Sequence, residues 1–339
     1  MRVSVALCTY NGARYLQDQL DSLARQTRLP DELVVCDDGS SDQTIPLLRE
    51  FAAHAPFAMH IEQNAANLGS TKNFEKAIRL CSGDIIALCD QDDVWFPEKL
   101  AQFENALQSN PEAGLVFSDA ELVDQDLRSL HKTMWQTLKL NSKRQRQLQT
   151  PAAFSALLGR NYVTGAAMAF RASYRDQMFP ISAAWVHDRW IATNIAARAP
   201  LLLLPYPLIQ YRQHDKNQIG AAPQKKNLLL RGWDALGIET DSYRRQAQAF
   251  RALQEHLDQQ SSLGLTAQDW GHLNGKVDHT VRRAFFPASR WQRLRIILAE
   301  LIKGRYHRYS VHGFWSALRD LIHLATIYDS AVEHDEEKL

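Results

Sequence analysis

Apolar and polar positions alternate in short blocks along the first part of the chain. Val3 to Thr9 is an apolar run that stops at Tyr10-Asn11-Gly12, which predicts a buried strand and its exit loop. Tyr15, Leu16, Leu20 and Leu23 then recur at helical spacing, and Pro30 closes that helix. Glu32 to Cys36 predicts a second strand, with Asp37-Asp38-Gly39-Ser40-Ser41-Asp42 as its exit loop. A helix follows over Thr44 to Phe51, with Pro46 in its first turn. Met59 to Glu62 reads as a third strand, Asn64 to Ser70 as a polar loop and Thr71 to Cys81 as a helix. Asp84 to Cys89 is a fourth apolar run. Strands alternating with helices at this spacing predict an α/β fold, a mainly parallel sheet flanked by helices.

The pattern loosens beyond residue 100. Gly114 to Asp119, Thr164 to Phe170, Leu201 to Leu204 and Leu208 to Tyr211 read as strands. Leu127 to Gln149 is polar and basic and reads as a loop or flanking helix. Trp185 opens a helix running to about Arg198, and Arg212 to Asn217 is polar again. From about residue 220 helical patterns take over, so we expect a catalytic domain over 1–220 and a helical region over 221–339. In the latter, Arg282, Arg283, Arg290, Arg293, Arg295, Lys303, Arg305, Arg308 and Arg319 face only Glu300 and Asp320 over residues 282–322. Trp291, Leu294, Leu298, Leu301 and Ile302 share one helical face. Such a helix suits either an anionic membrane surface or packing against protein.

Bulk properties narrow the classes. The 339 residues are 45% hydrophobic and 23% charged, and the net charge is +1. A balance so near zero gives no reason to expect a nucleic-acid partner. The four cysteines include no CxxC pair, which fits reduced cytosolic thiols better than zinc or a disulfide framework. Met1 to Leu7 lacks the long apolar stretch of a signal peptide, and Leu201 to Leu204 is far too short to span a bilayer.

The chemistry gathers where the fourth strand ends. Leu88-Cys89 runs directly into Asp90-Gln91-Asp92-Asp93, three carboxylates within four residues. Acids this close repel unless a cation or hydrogen bonds compensate them. Open α/β sheets bind ligands at the carboxyl ends of their strands. Mg²⁺ or Mn²⁺ with a substrate diphosphate is one reading, and an acidic turn before the helix near Pro97 is the other.

Four linked segments then resemble family 2 glycosyltransferases of the GT-A fold. They are Val5 to Gly12, Asp37 to Thr44, Asn67-Leu68-Gly69 with Lys72-Asn73, and Asp90 to Asp93, in matching order and spacing. The resemblance covers roughly residues 1–220. Asp90 to Trp95 and Tyr211 to His214 look most like bacterial enzymes that build surface polysaccharides, rhamnosyltransferases among them.

The resemblance implies roles. Thr9, Tyr10 and Asn11 sit against the nucleoside. Asp38, supported by Asp37, accepts the pyrimidine imide N–H, which suits an acceptor-only carboxylate. Gly69, Lys72 and Asn73 border the diphosphate at a helix start. Asp93 and His214 hold the Mg²⁺ or Mn²⁺, Asp92 contacts the donor ribose or sugar, and Arg212 grips phosphate. Read alone, His214 is also an ordinary loop histidine, and Arg212 the partner of a surface acid.

Asp188 aligns with the general base of this family. His187 stands where the commoner residue is an acid, so its role stays open. Trp185 and Trp190 are either acceptor-side walls or core. The implied activity is an inverting transfer from a nucleoside diphosphate sugar, dTDP-rhamnose or a UDP-sugar, to a glycan hydroxyl. The implied acceptor is carried on a polyprenyl diphosphate at the inner face of the cytoplasmic membrane. A nucleotidyltransferase would show a glycine-rich, basic loop after the first strand, and Cys8 to Gly12 lacks one. A non-catalytic scaffold would have no need of Asp38, Asp92, Asp93 and Asp188 together.

Overall fold

The structure is a computed structural model of the chain, and it describes residues 1–214, 240–260, 263–287, 289–310 and 313–321. The expected domain boundary at 220 and the polar residues 215–217 lie outside them. The chain forms two compact units. One is Met1–Leu157, Asn161–Ala222 and Ser262–Gly264; the other is Leu158–Arg160, Pro223–Ser261 and Leu265–Leu339.

The first unit is built on a nine-stranded mixed sheet of order β3-β2-β1-β4-β8-β6-β9-β5, with β7 beside β6. Its leading half is β1 (Val3–Thr9), α1 (Ala13–Ala24), β2 (Glu32–Asp37), α2 (Thr44–Ala52), β3 (Ala58–Gln63), α3 (Ser70–Leu80) and β4 (Ile85–Asp90). These four strands are parallel, as the alternation of strand and helix predicts. Val5, Leu7, Leu33, Val35, Ile86 and Leu88 are fully buried, so both faces of the central strands are covered. The register places Thr9 beside Asp37 and Cys8 beside Asp90, which brings three exit loops to one rim. Cys8, Cys36, Cys81 and Cys89 are free, buried thiols, and burial pushes all four pKa values up.

The second half departs from the simple pattern. After β5 (Val94–Trp95), α4 (Lys99–Ser109) and β6 (Leu115–Val123), the polar stretch from 127 holds β7 (Ser129–Thr133), α5 (Met134–Thr137) and α6 (Ser142–Leu148). Next come α7 (Ala153–Gly159), a 3-10 turn at Gly165–Ala167, β8 (Met168–Arg171), α8 (His187–Ala196) and β9 (Leu201–Arg212). Strand β8 runs antiparallel to both β4 and β6. The two strands expected over 201–211 are one strand. It stays continuous through Pro205 and Pro207 because its pairing with β6 shifts register there, and β5 joins it only at Ile209 and Gln210.

The second unit contains α9 (Thr240–Asp258), α10 (Ala267–Ala284), α11 (Arg290–Ile302) and α12 (Arg305–Tyr309). Thr266 and Asp269 form a reciprocal cap at the start of α10. The basic character of this region is partly internal. Arg283 is buried and bonds Asp320 through Nε at 2.7 Å, and Tyr306 Oη donates to the same carboxylate at 2.7 Å. Glu300 accepts from Arg305 and pairs with His279. On α11, Ile297 faces the core with Tyr306 and Ala317, whereas Trp291, Leu298 and Ile302 point outward. None of the described helices is long and apolar enough to cross a membrane.

Candidate active site

The rim at the ends of β1, β2 and β4 is tied together by its own polar side chains. Thr9 Oγ1 donates to Asp37 Oδ2 at 2.8 Å, and Asp37 Oδ1 accepts the Ser40 N–H at 2.8 Å. Asp38 is buried beneath the 64–69 loop. Its Oδ1 accepts from Leu68 N–H at 2.7 Å and Asn64 Nδ2 at 2.9 Å, and its Oδ2 from Gly69 N–H at 2.9 Å. Gly69 has φ of +79°, a conformation that only glycine adopts without strain, and this aims its N–H at the carboxylate. Asn73 faces inward: its Nδ2 donates to Cys36 O at 2.7 Å and its Oδ1 accepts from Asn64 at 2.8 Å. It therefore pins α3 to the end of β2 instead of projecting into the open rim. Lys72 Nζ bonds Glu75 at 2.8 Å and the Ile181 carbonyl at 2.7 Å. Tyr10 keeps its ring half exposed at the edge of the site. Asn11 Oδ1 accepts the Ser41 N–H at 2.9 Å, which holds the first exit loop to the second.

Gln91 links the first exit loop to the acidic one. Its Oε1 accepts the Tyr10 N–H at 2.8 Å and its Nε2 donates to Tyr10 O at 3.1 Å. A Cβ on Gly12 would lie 2.1 Å from Gln91 Oε1, so glycine is needed for the clasp to close. Sequence reasoning passed over Gln91 because its partner lies 81 positions away.

The acids separate into two environments. Asp92 Oδ2 stands 2.8 Å from His214 Nε2 at the open side. Asp93 is 1% exposed; its Oδ1 accepts the Arg212 N–H at 3.0 Å, while its buried Oδ2 has no hydrogen-bond partner. Burial and the charges of Asp92 and Asp90 hold the Asp93 carboxyl well above the ordinary range. Burial, then Asp92 and Asp188, push Asp90 up to about 7. The resemblance gives Asp93 and His214 to the metal; in the structure His214 lies against Asp92, and the Arg212 N–H holds Asp93 Oδ1.

Arg212 is a clamp. Its side chain donates to Asp92 O at 2.8 Å, Gln125 O at 2.6 Å and Asp18 Oδ2 at 2.7 Å, and lies over the Tyr15 ring. Of its two readings, the Asp18 contact is the pairing with a surface acid, and together these contacts fix the acidic loop to α1. His214 stacks on the same ring, with centroids 4.8 Å apart.

Among the described residues no three His, Cys, Asp or Glu side chains form a closed metal cage. The donor set still fits a hard dication. Mg²⁺ and Mn²⁺ commonly use one or two protein groups and take their other ligands from water and phosphate. Asp92 and His214 supply an oxygen and a nitrogen side by side, and the buried Asp93 Oδ2 beside them has no hydrogen-bond partner.

Asp188 lies in the first turn of α8. It accepts from Asn161 Nδ2 at 3.1 Å, from the Gly165 N–H at 3.2 Å and from the Arg189 N–H. Burial outweighs these bonds and raises its pKa to about 6. His187 is buried against Phe74, with rings 3.9 Å apart and no hydrogen-bond partner on either nitrogen, and burial lowers its pKa to about 3. Gly165 makes room for it, since a Cβ there would lie 2.9 Å from His187 Nε2. Trp190 is 1% exposed and donates to Met178 O at 2.7 Å, and Trp185 packs edge-on against it, itself buried. Of the two readings of Trp185 and Trp190, the structure has both in the core, and His187, whose role was open, is buried with them behind Asp188.

A parallel half with acids at its strand ends, joined to a mixed half that presents a buried carboxylate, is the arrangement of a GT-A fold. The sequence model of glycosyl transferase family 2 matches residues 4–173, and the chain belongs to that family. An uncharacterized protein of Mycobacterium tuberculosis is 26% identical over 219 residues, 62% of this chain and 59% of that protein, so the match spans under two thirds of that relative's length. The dTDP-rhamnosyl transferase RfbG of Shigella flexneri is 27% identical over 223 residues, 63% of this chain and 74% of RfbG. Among solved structures, S. aureus TarS 1-349 with UDP-GlcNAc superposes with a TM-score of 0.54 at 18% identity, over 98% of this chain and 92% of that one. The mannosyltransferase PcManGT of Pyrobaculum calidifontis, with GDP-Man and Mn²⁺, gives 0.51 at 18% identity, over 96% and 86%. At such identities the likeness speaks for the fold.

Proposed function

We propose that the chain is an inverting, metal-dependent glycosyltransferase. It moves a hexose or deoxyhexose from a UDP- or dTDP-sugar to a hydroxyl of a growing bacterial surface glycan carried on a polyprenyl diphosphate lipid. The observation that carries this reading is the pairing of Asp92 with His214 at the end of β4, on the sheet whose neighbouring strand end holds Asp38 under the 64–69 loop.

The nucleoside lies along the first two exit loops. Tyr10 offers an exposed ring for the base, and Thr9 and Asn11 hold the loops that flank it. Asp38 Oδ2 accepts one protein bond, which leaves a lone pair for a pyrimidine imide N–H. Asp92 and His214 are the side chains that would hold Mg²⁺ or Mn²⁺, which offsets charge on the departing nucleoside diphosphate. Asp188 takes the proton of the acceptor hydroxyl as that oxygen bonds to the anomeric carbon. The bond from that carbon to the diphosphate oxygen breaks, and the nucleoside diphosphate leaves with the electron pair. Attack from the opposite face inverts the anomeric centre, and no covalent enzyme intermediate is required.

The outward stripe of α11 supports peripheral contact with an anionic membrane at the cytoplasmic face, where a lipid-linked acceptor would be met. Trp291 and Ile302 are 76% and 86% exposed, and Arg295 and Lys303 share that exposed surface.

The test is incubation of the purified chain with a panel of UDP- and dTDP-sugars, with Mn²⁺ or with EDTA, scoring transfer and slow donor hydrolysis. Release of nucleoside diphosphate only with the ion supports the reading. No release from any donor would overturn it in favour of a scaffold.

A further inference from the structure

Lys99 is fully buried in the first turn of α4, six residues past Asp93. Its Nζ donates to the Ala166 carbonyl at 2.5 Å and lies 3.4 Å from the centroid of the Trp95 ring. Burying an ammonium is costly unless charge or hydrogen bonds offset it. Methionine, of similar length, would fill the same space against Trp95 and Phe103 without that cost. A lysine kept there needs a reason beyond packing.

The contacts supply one. Ala166 belongs to the 3-10 turn Gly165–Ala167, and the Gly165 N–H of that turn donates to Asp188 Oδ2 at 3.2 Å. The turn fits closely against the start of α8, since a Cβ on Gly165 would lie 2.9 Å from His187 Nε2. One side chain thus packs on Trp95, two residues past the acidic loop, and also grips the turn that aims Asp188.

We infer that Lys99 is a positioning residue: it couples the acid-bearing strand end to the turn that orients Asp188, so the donor half and the base half of the site keep one geometry. This rests on the reading of Asp188 as the general base. Lys99 is fully buried and acts through the Ala166 carbonyl. Misplacing a base by about 1 Å can cost on the order of a hundredfold in rate, so the tie has kinetic weight.

The test compares Lys99→Met and Lys99→Gln with the wild-type chain in the transferase assay. A calorimetric titration of UDP with Mn²⁺ runs beside it. The expected result for Lys99→Met is a kcat lower by about 10–100-fold, with nucleotide affinity changed by less than about threefold. Lys99→Gln, which keeps a donor for Ala166 O, should recover part of kcat. A purely structural lysine would leave both constants of the folded fraction unchanged, and that outcome overturns the inference. A loss confined to nucleotide affinity also overturns it, since the lysine would then serve the acids alone. If Lys99→Met does not fold, Lys99→Leu, which also lacks a donor, with wild-type kcat and affinity overturns it equally. Absence of transfer by the wild-type chain would sink the base assignment, and this inference with it.

Discussion

His214 Nε2 stands 2.8 Å from Asp92 Oδ2, although 122 positions separate them in the chain. The contact closes the acidic loop of β4 against the end of β9. Tyr15 lies under the imidazole, and Arg212 braces the loop from behind. It is the pair on which the proposed metal site depends.

Arg212 should matter more for stability than for binding chemistry. Its buried side chain bonds two carbonyls and the Asp18 carboxylate. Arg212→Ala would leave buried acceptors unsatisfied and remove the stacking on Tyr15. We expect a loss of about 2–4 kcal/mol in urea unfolding. A loss below about 0.5 kcal/mol, the range of an ordinary surface change, would show that the clamp is not rigid.

Asp188→Asn should keep nucleotide binding and lose about 10²–10⁴-fold in kcat. The same carboxyl sets a pH dependence. Burial raises its pKa to about 6, against the Arg189 charge and its hydrogen bonds, with Asp90 also within its field. The base is active as the carboxylate, so kcat should fall as pH drops through about 6. His187, whose pKa burial lowers to about 3, stays neutral over that range and does not produce the limb. A profile flat from pH 7 to about 5 would contradict the assignment.

Gly165→Ala tests how tightly the base is seated. The new methyl would meet His187 Nε2 at 2.9 Å, and His187 is held against Phe74. We expect kcat to fall about tenfold or more through displacement of Asp188. Adding His187→Ala should restore part of it by opening space, although that change alone costs core packing. Unchanged kcat in the single variant would mean the turn yields freely.

For the outward stripe of α11, Trp291→Ser with Ile302→Ser should weaken sedimentation with phosphatidylglycerol vesicles by about tenfold, since apolar burial drives interfacial binding. Phosphatidylcholine vesicles should bind the wild-type chain less well, because the exposed cations Arg295 and Lys303 have no anionic headgroup to meet. Equal recovery of variant and wild type would remove the membrane role.

Much of the leading half was legible in the sequence. The runs at Val3, Glu32 and Asp84 each end in a polar loop, and local periodicity is enough to place them. The second half was less so. Strand β5 is two residues long and exists through pairing with β9, a contact no local pattern reveals. Strand β7 is largely exposed, so it carries no apolar signature. Trp190 and His187 looked like site residues because polar and aromatic types cluster beside Asp188, yet the inner face of α8 buries them. Lys99 was overlooked as a charged residue at a helix start. A signal was present: Lys99, Phe103 and Leu107 recur at four-residue spacing on the buried face of α4. Gly165, in an otherwise apolar run, marked the close approach of His187.

The most direct measurement of the central claim is calorimetric titration of UDP and dTDP into the wild-type chain and into Asp92→Ala and His214→Ala, each with and without Mn²⁺. We predict nucleotide binding that Mn²⁺ strengthens at least about tenfold in the wild type, with that gain abolished in both variants. Nucleotide binding that the ion leaves unchanged, or an ion effect that survives the loss of both Asp92 and His214, would contradict it.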